Sequence, residues 1–164
     1  MKKPKEVYVI LHNIRSLYNV GSVFRTADGV GVSKIFLTGY TPSPVDEMGR
    51  PRREIEKTAL GAERVVSWER VPRASWLISH LKKENIQVVA LELTDNAINY
   101  RDYKPNGPTA LLLGNEVRGL SSALLKKCDA VIYIPMRGKK ESLNVSVAFG
   151  VAAYQLRAYP ETTF

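Results

Sequence analysis

Val7-Tyr-Val-Ile-Leu11, Val20-Gly-Ser-Val-Phe-Arg-Thr-Ala-Asp28 and Lys34-Ile-Phe-Leu-Thr38 follow one another at the start of the chain, and their order decides the fold. The two flanking runs are short and rich in β-branched and aromatic side chains, the signature of buried strands. The stretch between them has a helical pattern, with Asn19 placed to cap its start and Gly29 and Gly31 placed to end it. Working outward, Pro72 to Glu84 carries proline near a helix start and a Trp76, Leu77, His80, Leu81 stripe at helical spacing. Gln87–Leu91, Thr109–Leu113 and Val131–Ile134 are three more short apolar runs bounded by polar or turn residues. Buried strands alternating with helices predict an α/β fold with a mostly parallel sheet flanked by helices.

The last helix differs in composition. From Asn144 to Tyr159 it is apolar on nearly every face, with Ala148, Gly150, Ala152 and Ala153 small enough to admit another backbone. A helix without a polar face must be covered on all sides. In so short a chain a second copy supplies part of that cover, which predicts a homodimer; a central core helix in a monomer is the alternative.

The chain has 164 residues, the size of one domain, so residues 1–164 are expected to form a single unit without a second full domain. Its one cysteine, Cys128, excludes an intrachain disulfide, and with only His12 and His80 beside it no zinc-type Cys/His spacing can be written. No apolar run is long enough for a membrane span, and the opening Met1-Lys-Lys-Pro-Lys-Glu leads into a strand rather than a signal-peptide core. A soluble, cytoplasmic protein without metal or membrane partner is expected. The net charge is +8. Residues 1–82 hold 14 basic and 8 acidic side chains, whereas residues 83–164 hold 10 and 8, so the excess lies in the amino-terminal half. Its densest cluster, Arg50, Arg52, Arg53 and Lys57, shares a stretch with Pro42, Pro44, Gly49 and Pro51 that reads as an exposed loop. Such a loop suits a polyanion, because each phosphate contact releases counterions.

Three segments carry candidate chemistry. In the first, Leu11 to Gly31, a strand end, a polar loop and a helix start bring Asn13, Arg15, Asn19 and Arg25 to the mouth of the sheet, with Gly21 and Ser22 leaving Arg25 an uncrowded helix face. In the second, Leu112-Leu-Gly-Asn-Glu-Val-Arg-Gly-Leu-Ser121, a strand runs into a glycine-punctuated turn before a helix starting near Ser121. Ligands of open α/β sheets sit at such strand ends. Gly114 permits close backbone approach and Glu116 supplies a carboxylate. The segment lacks the Gly-Lys-Ser/Thr ending of a phosphate loop and the three spaced glycines of a dinucleotide fingerprint. In the third, Ile132-Tyr-Ile-Pro-Met-Arg-Gly-Lys-Lys-Glu-Ser-Leu-Asn144, a strand ends at Pro135, a basic loop containing Arg137 follows, and Ser142 or Asn144 caps the final helix. Capping explains each of these residues alone. It does not explain why all three loops fall at strand carboxyl ends.

Taken together these segments resemble the SpoU-type, or TrmH-like, branch of the SPOUT RNA methyltransferases. The resemblance rests on Asn19 to Arg25, on Gly114-Asn-Glu116 with Gly119, and on Ile134-Pro-Met136 with Ser142-Leu-Asn144, in that order, and spans Val7 to Leu156. It implies a SPOUT domain with a deep carboxyl-terminal trefoil knot at approximately residues 87–159, a homodimer, and S-adenosyl-L-methionine bound against Leu91, Gly114, Ile134, Met136, Ser142 and Leu143. Knots are almost absent from proteins, and no composition or periodicity signals one. The implied reaction is methyl transfer to a ribose 2′-hydroxyl of tRNA or rRNA, with Arg25, Asn19, Glu116, Ser142 and Asn144 at the reacting centre. RNA contacts are assigned to Arg15, Arg25, Arg50, Arg52, Arg53, Arg118 and Arg137. Arginine is a poor general base at neutral pH, so Arg25 is expected to bind a phosphate and polarise the hydroxyl. His12, the only histidine near the first segment, is given a structural role at its strand end, with a role as base the alternative. An RNA-binding scaffold without catalysis and a base-directed knotted methyltransferase stand as the two other readings.

Overall fold

A computed structural model describes residues 5–158; Met1 to Pro4 and Tyr159 lie outside the described residues, so the reading of the extreme amino terminus and the last residue of the predicted final helix concern that undescribed part. Strands β1 (Val7–His12), β2 (Lys34–Thr38), β3 (Trp68–Arg70), β4 (Gln87–Leu91), β5 (Ile98–Asn99), β6 (Thr109–Leu113) and β7 (Ala130–Tyr133) form one sheet in the order β3-β2-β1-β6-β4-β7-β5. All six pairings are parallel. The predicted fold class therefore holds, and the short edge strands β3 and β5 are additions that their polar residues concealed.

Helices α1 (Leu17–Val30), α2 (Arg53–Ala59) and α5 (Val145–Arg157) cover one face of the sheet, and α3 (Ala74–Lys83) with α4 (Ser122–Lys127) covers the other. Alternation along β1 supplies both cores. Val7, Val9 and Leu11 pack with Val23, Phe24, Ile55 and Phe149, whereas Ile10 packs with Leu77, Ile78 and Leu81.

Several boundaries differ from the sequence reading. Helix α1 begins one turn earlier than predicted, because Ser16 rather than Asn19 is its cap: the Asn19 amide donates to the Ser16 hydroxyl at 3.2 Å. Gly31 closes the helix with φ +77°, a conformation that glycine adopts without a Cβ penalty. Gly29 lies inside it, where the absence of a side chain leaves room for the Tyr154 hydroxyl of α5. On α3 the core face is Ala74, Leu77, Ile78 and Leu81, and Trp76 and His80 instead stack on each other outside, 4.8 Å apart and 10° from coplanar. The basic stretch predicted as a loop contains a helix, α2, because Ile55 and Ala59 at i,i+4 spacing bury against α1.

Gly21 makes that α1–α2 packing possible. It is buried rather than clearing space for Arg25, and a Cβ there would collide with the Thr58 hydroxyl and the Ile55 carbonyl oxygen. Gly21→Ala should lower stability despite alanine's better helix propensity, because the clash falls on a fixed backbone atom. The expected net loss is ~2 kcal/mol, a fall in Tm of about 4–8 °C by calorimetry. An unchanged or raised Tm would mean that α2 yields without cost.

The final helix runs from Val145 to Arg157 with Asn144 as its cap. Phe149, Ala152, Ala153 and Leu156 bury against α1 and the sheet, and Gly150 faces Thr26 of α1. Its small residues thus serve packing within the chain. Val147 and Tyr154 remain 51% and 54% exposed, leaving an apolar stripe toward solvent.

Candidate functional site

The chain runs β1, β2, β3 outward in one direction, then returns to place β4 beyond the position that β6 later fills. A crevice at the carboxyl ends of such strands is where open α/β sheets bind ligands. Here a cavity of ≈ 400 Å³ lies beyond β4, β6 and β7, walled by residues 91–93, 113–117, 119, 133, 134, 136, 141–145 and 148 together with Asn19. All six residues assigned to the cofactor, Leu91, Gly114, Ile134, Met136, Ser142 and Leu143, line it. Its floor is apolar, from Leu91, Leu113, Ile134 and Leu143, and its rim is polar. That combination fits an adenosine-type ligand with a zwitterionic tail. Gly114 lacks a side chain where a Cβ would strike Leu120 Cγ at 2.7 Å and the Gly119 carbonyl at 2.8 Å, so the turn closes tightly under the cavity.

The three sequence segments meet on the cavity rim through one hydrogen-bond chain. Asn144 Nδ2 donates to Asn19 Oδ1 at 3.2 Å, and Asn19 Nδ2 donates to Glu116 Oε1 at 3.4 Å. The backbone amides of Arg15 and Ser16 also donate to the Glu116 carboxylate, each at 3.2 Å. Asn144 Oδ1 meanwhile accepts from the Ser146 amide at 2.9 Å, which is its capping bond. Burial pushes the Glu116 carboxyl upward, but hydrogen bonds from its own amide, from Arg15 and Ser16 and from Asn19 outweigh it and hold the acid below its ordinary range. Glu116 is therefore ionised near neutral pH with its oxygens already occupied. It is built to hold loops together.

Asn115 and Glu92, which sequence reasoning left out of the site, fix the second segment. Asn115 is buried; its Oδ1 accepts from the Val117 and Arg118 amides at 2.9 and 2.8 Å, and its Nδ2 donates to the Asn13 carbonyl at 3.0 Å. Glu92 accepts from the Leu120 amide at 3.1 Å and packs against Gly119, whose φ of +65° excludes most side chains. A carboxylate directly after the β4 run was the available signal for Glu92.

Other assigned residues lie apart. Arg25 is six residues beyond Asn19 on α1, exposed, and does not line the cavity. Six residues turn a helix by about 600°, so Arg25 and Asn19 leave the helix on different sides. Arg15 and Arg118 line a neighbouring cavity. Arg50 pairs with Asp46 at 2.8 Å, Arg52 sits at the α2 start with its Nε buried and without a partner among the described residues, and Arg53 and Arg137 are exposed. His12 Nδ1 lies 2.9 Å from the Thr38 hydroxyl, outside the cavity lining, and burial lowers its pKa.

Comparison with known proteins agrees with this architecture. Residues 6–154 match the model of the SpoU rRNA Methylase family. A tRNA (guanosine(18)-2′-O)-methyltransferase of Aquifex aeolicus is 31% identical over 98% of this chain and 72% of its own length. The Escherichia coli K12 protein of the same description is 31% identical over 94% of this chain, which spans only 64% of that relative. Among solved structures, an AdoMet-bound rRNA methyltransferase from Sinorhizobium meliloti superposes with a TM-score of 0.84 at 30% identity, covering 96% of this chain and 57% of the other. The chain belongs to the SpoU rRNA methylase family.

Proposed function

We propose that the protein transfers a methyl group from S-adenosyl-L-methionine to a ribose 2′-hydroxyl of tRNA or rRNA. One observation carries the reading: the chain Asn144–Asn19–Glu116 joins three separate segments at the rim of an apolar-floored cavity. The relatives named above act on ribose hydroxyls of RNA, and a solved neighbour holds the same methyl donor.

Bound in the cavity, S-adenosyl-L-methionine supplies an electrophilic methyl group on a sulfonium sulfur. Leu91, Gly114, Ile134, Met136, Ser142 and Leu143 would hold it, with Ser142 and Asn144 at the polar rim. On transfer an oxygen–carbon bond would replace the carbon–sulfur bond of the donor, and the hydroxyl proton would have to leave. Glu116, with its oxygens occupied, holds the Arg15–Ser16 turn and the first turn of α1 in place rather than taking that proton. Arg25 binds the phosphate beside the target ribose and polarises the hydroxyl, and the proton passes to phosphate or water. Holding a near-attack geometry contributes up to ~7–11 kcal/mol of such a barrier.

The chain acts as a homodimer in this reading. The exposed Val147 and Tyr154 of α5 lie beside the α1 ridge that carries Arg25, with Tyr154 over Gly29 and Gly150 against Thr26. A second copy on this face covers the apolar stripe and directs Arg25 toward the partner's cavity. The trefoil knot belongs to the same proposal, at approximately residues 87–159, the segment that supplies every cavity residue except Asn19. Activity in the cytoplasm, where such RNA is made, completes it; among the described residues no helix is long and apolar enough to cross a membrane.

Basic residues of this domain contribute to RNA recognition. Arg53 is exposed on α2, and Arg52 stands half-buried at the start of the same helix. Converting both to glutamate should weaken RNA binding and flatten its salt dependence by about one log unit or more per decade of salt. A salt titration by filter binding measures both, and no change in either would remove this surface.

The test of function is incubation with labelled S-adenosyl-L-methionine and unmodified tRNA and rRNA transcripts, then nucleoside analysis. A 2′-O-methylated nucleoside is expected. Methylated base would favour the base-directed reading, and cofactor-independent RNA binding without transfer would favour a scaffold.

A further inference from the structure

We propose that Tyr40, flanked by Arg15 and Arg118, receives the target nucleotide: the ring stacks on its base, drawn out of the RNA strand, and the two guanidinium groups hold the adjoining phosphates. The proposal rests on the ribose-methylation reading and deepens it by placing the substrate.

A second cavity of ≈ 350 Å³ adjoins the first and is lined by Arg15, Tyr40, Asn115, Val117 and Arg118. Asn115 and Val117 line both cavities, so only this turn divides them. A ribose presented to the first cavity would leave its base and phosphates beside the second. Enzymes that work on single nucleotides draw them out of the stack and bind the base between flat or apolar surfaces.

Tyr40 is built as such a surface. The residue is 54% exposed, yet its backbone amide and its phenol oxygen are both held. The Tyr40 amide donates to Asn13 Oδ1 at 3.1 Å, and Asn13 takes a φ of +56° to offer that oxygen. Arg70 donates to the carbonyls on either side, of Gly39 and of Thr41, both at 2.8 Å. The phenol oxygen accepts from Asn115 Nδ2 at 2.9 Å. An aromatic ring fixed at both ends with its face open loses little further entropy when a base stacks on it.

The two arginines complete the site. Arg15 and Arg118 are exposed, and among the described residues neither joins an ion pair, although their backbone amides are held by Glu116 and Asn115. Their positions are thus fixed while their charges stay available. A rigid π-face between two free guanidinium groups matches a nucleotide better than a neutral metabolite.

The experiment compares wild type, Tyr40→Ala, Tyr40→Phe and Tyr40→Trp in three measurements. These are anisotropy of a short labelled single-stranded RNA across a salt series, methyl incorporation into unmodified tRNA and rRNA transcripts, and calorimetry with S-adenosylhomocysteine. Tyr40→Ala should lower RNA affinity and kcat/KM by about 5- to 150-fold, the range for one lost base stack, with the salt slope and S-adenosylhomocysteine affinity unchanged. Phenylalanine and tryptophan should restore most of the loss. Full activity in the alanine variant overturns the proposal, as does a phenylalanine variant no better than alanine, which would assign the effect to the hydroxyl bond with Asn115. If wild type binds RNA through Tyr40 but transfers no methyl group, the platform stands and the methylation reading falls. If wild type binds no RNA, both fall.

Discussion

Arg25→Ala should reduce methyl transfer by about 10²- to 10³-fold while leaving S-adenosylhomocysteine affinity within twofold of wild type. The large effect follows from the charge that Arg25 brings to the hydroxyl and phosphate as the new bond forms; the small one follows from its absence from the cavity lining. Lysine at this position should rescue little, because a point charge replaces a planar fork with two donors for one phosphate. The dimer makes a sharper prediction. Mixing Arg25→Ala with Asn144→Ala, each nearly inactive alone, should restore roughly a quarter of wild-type activity. Half of randomly assorted dimers then pair an intact cavity with an intact partner arginine, at one of their two sites. No restoration, in a mixture shown by native mass spectrometry to exchange subunits, would place Arg25 in service of its own chain's cavity. A monomer by light scattering at micromolar concentration would remove the dimer itself.

The main strands and the cavity were legible because their signals are local. VYVIL, KIFLT, QVVAL and TALLL are buried runs that alternate with helical patterns, and the parallel sheet follows from them. The six cofactor-assigned residues came from a family resemblance, and the structure gathers all of them in one cavity. What escaped depended on contacts between distant segments. Helix α2 has only seven residues and no capping side chain, so it exists through the burial of Ile55 and Ala59 rather than through propensity. Asn19 suits a cap by residue type, but Ser16 takes that role and frees the Asn19 side-chain amide for Glu116, 97 residues away. Tyr40 follows the β2 run as an ordinary turn residue, and only its bonds to Asn13 and Asn115 mark it.

The role of Glu116 gives the second large effect. Its two oxygens accept from the Arg15 and Ser16 amides and from Asn19, so it fixes the loop that presents Asn19 to Asn144. In Glu116→Gln one oxygen becomes an amide donor facing backbone N–H donors. The loop must move, and a displacement near 1 Å at a reacting centre costs about 10²-fold in rate. Methyl transfer should fall by about that factor, mostly in kcat. The pH dependence then separates anchor from base. The folded carboxyl titrates below its unfolded value near ~4.3, so the stabilisation by its ionised form is complete above that pH and is lost as pH falls through the lower folded pKa. Denaturant midpoints of wild type and Glu116→Gln should differ most at neutral pH and converge in acid, below about pH 4. Between about pH 6 and 9 the two rate profiles should run parallel, since Glu116 does not titrate there. A wild-type inflection near neutrality that the glutamine variant lacks would make Glu116 the proton acceptor, and the anchoring role would fail.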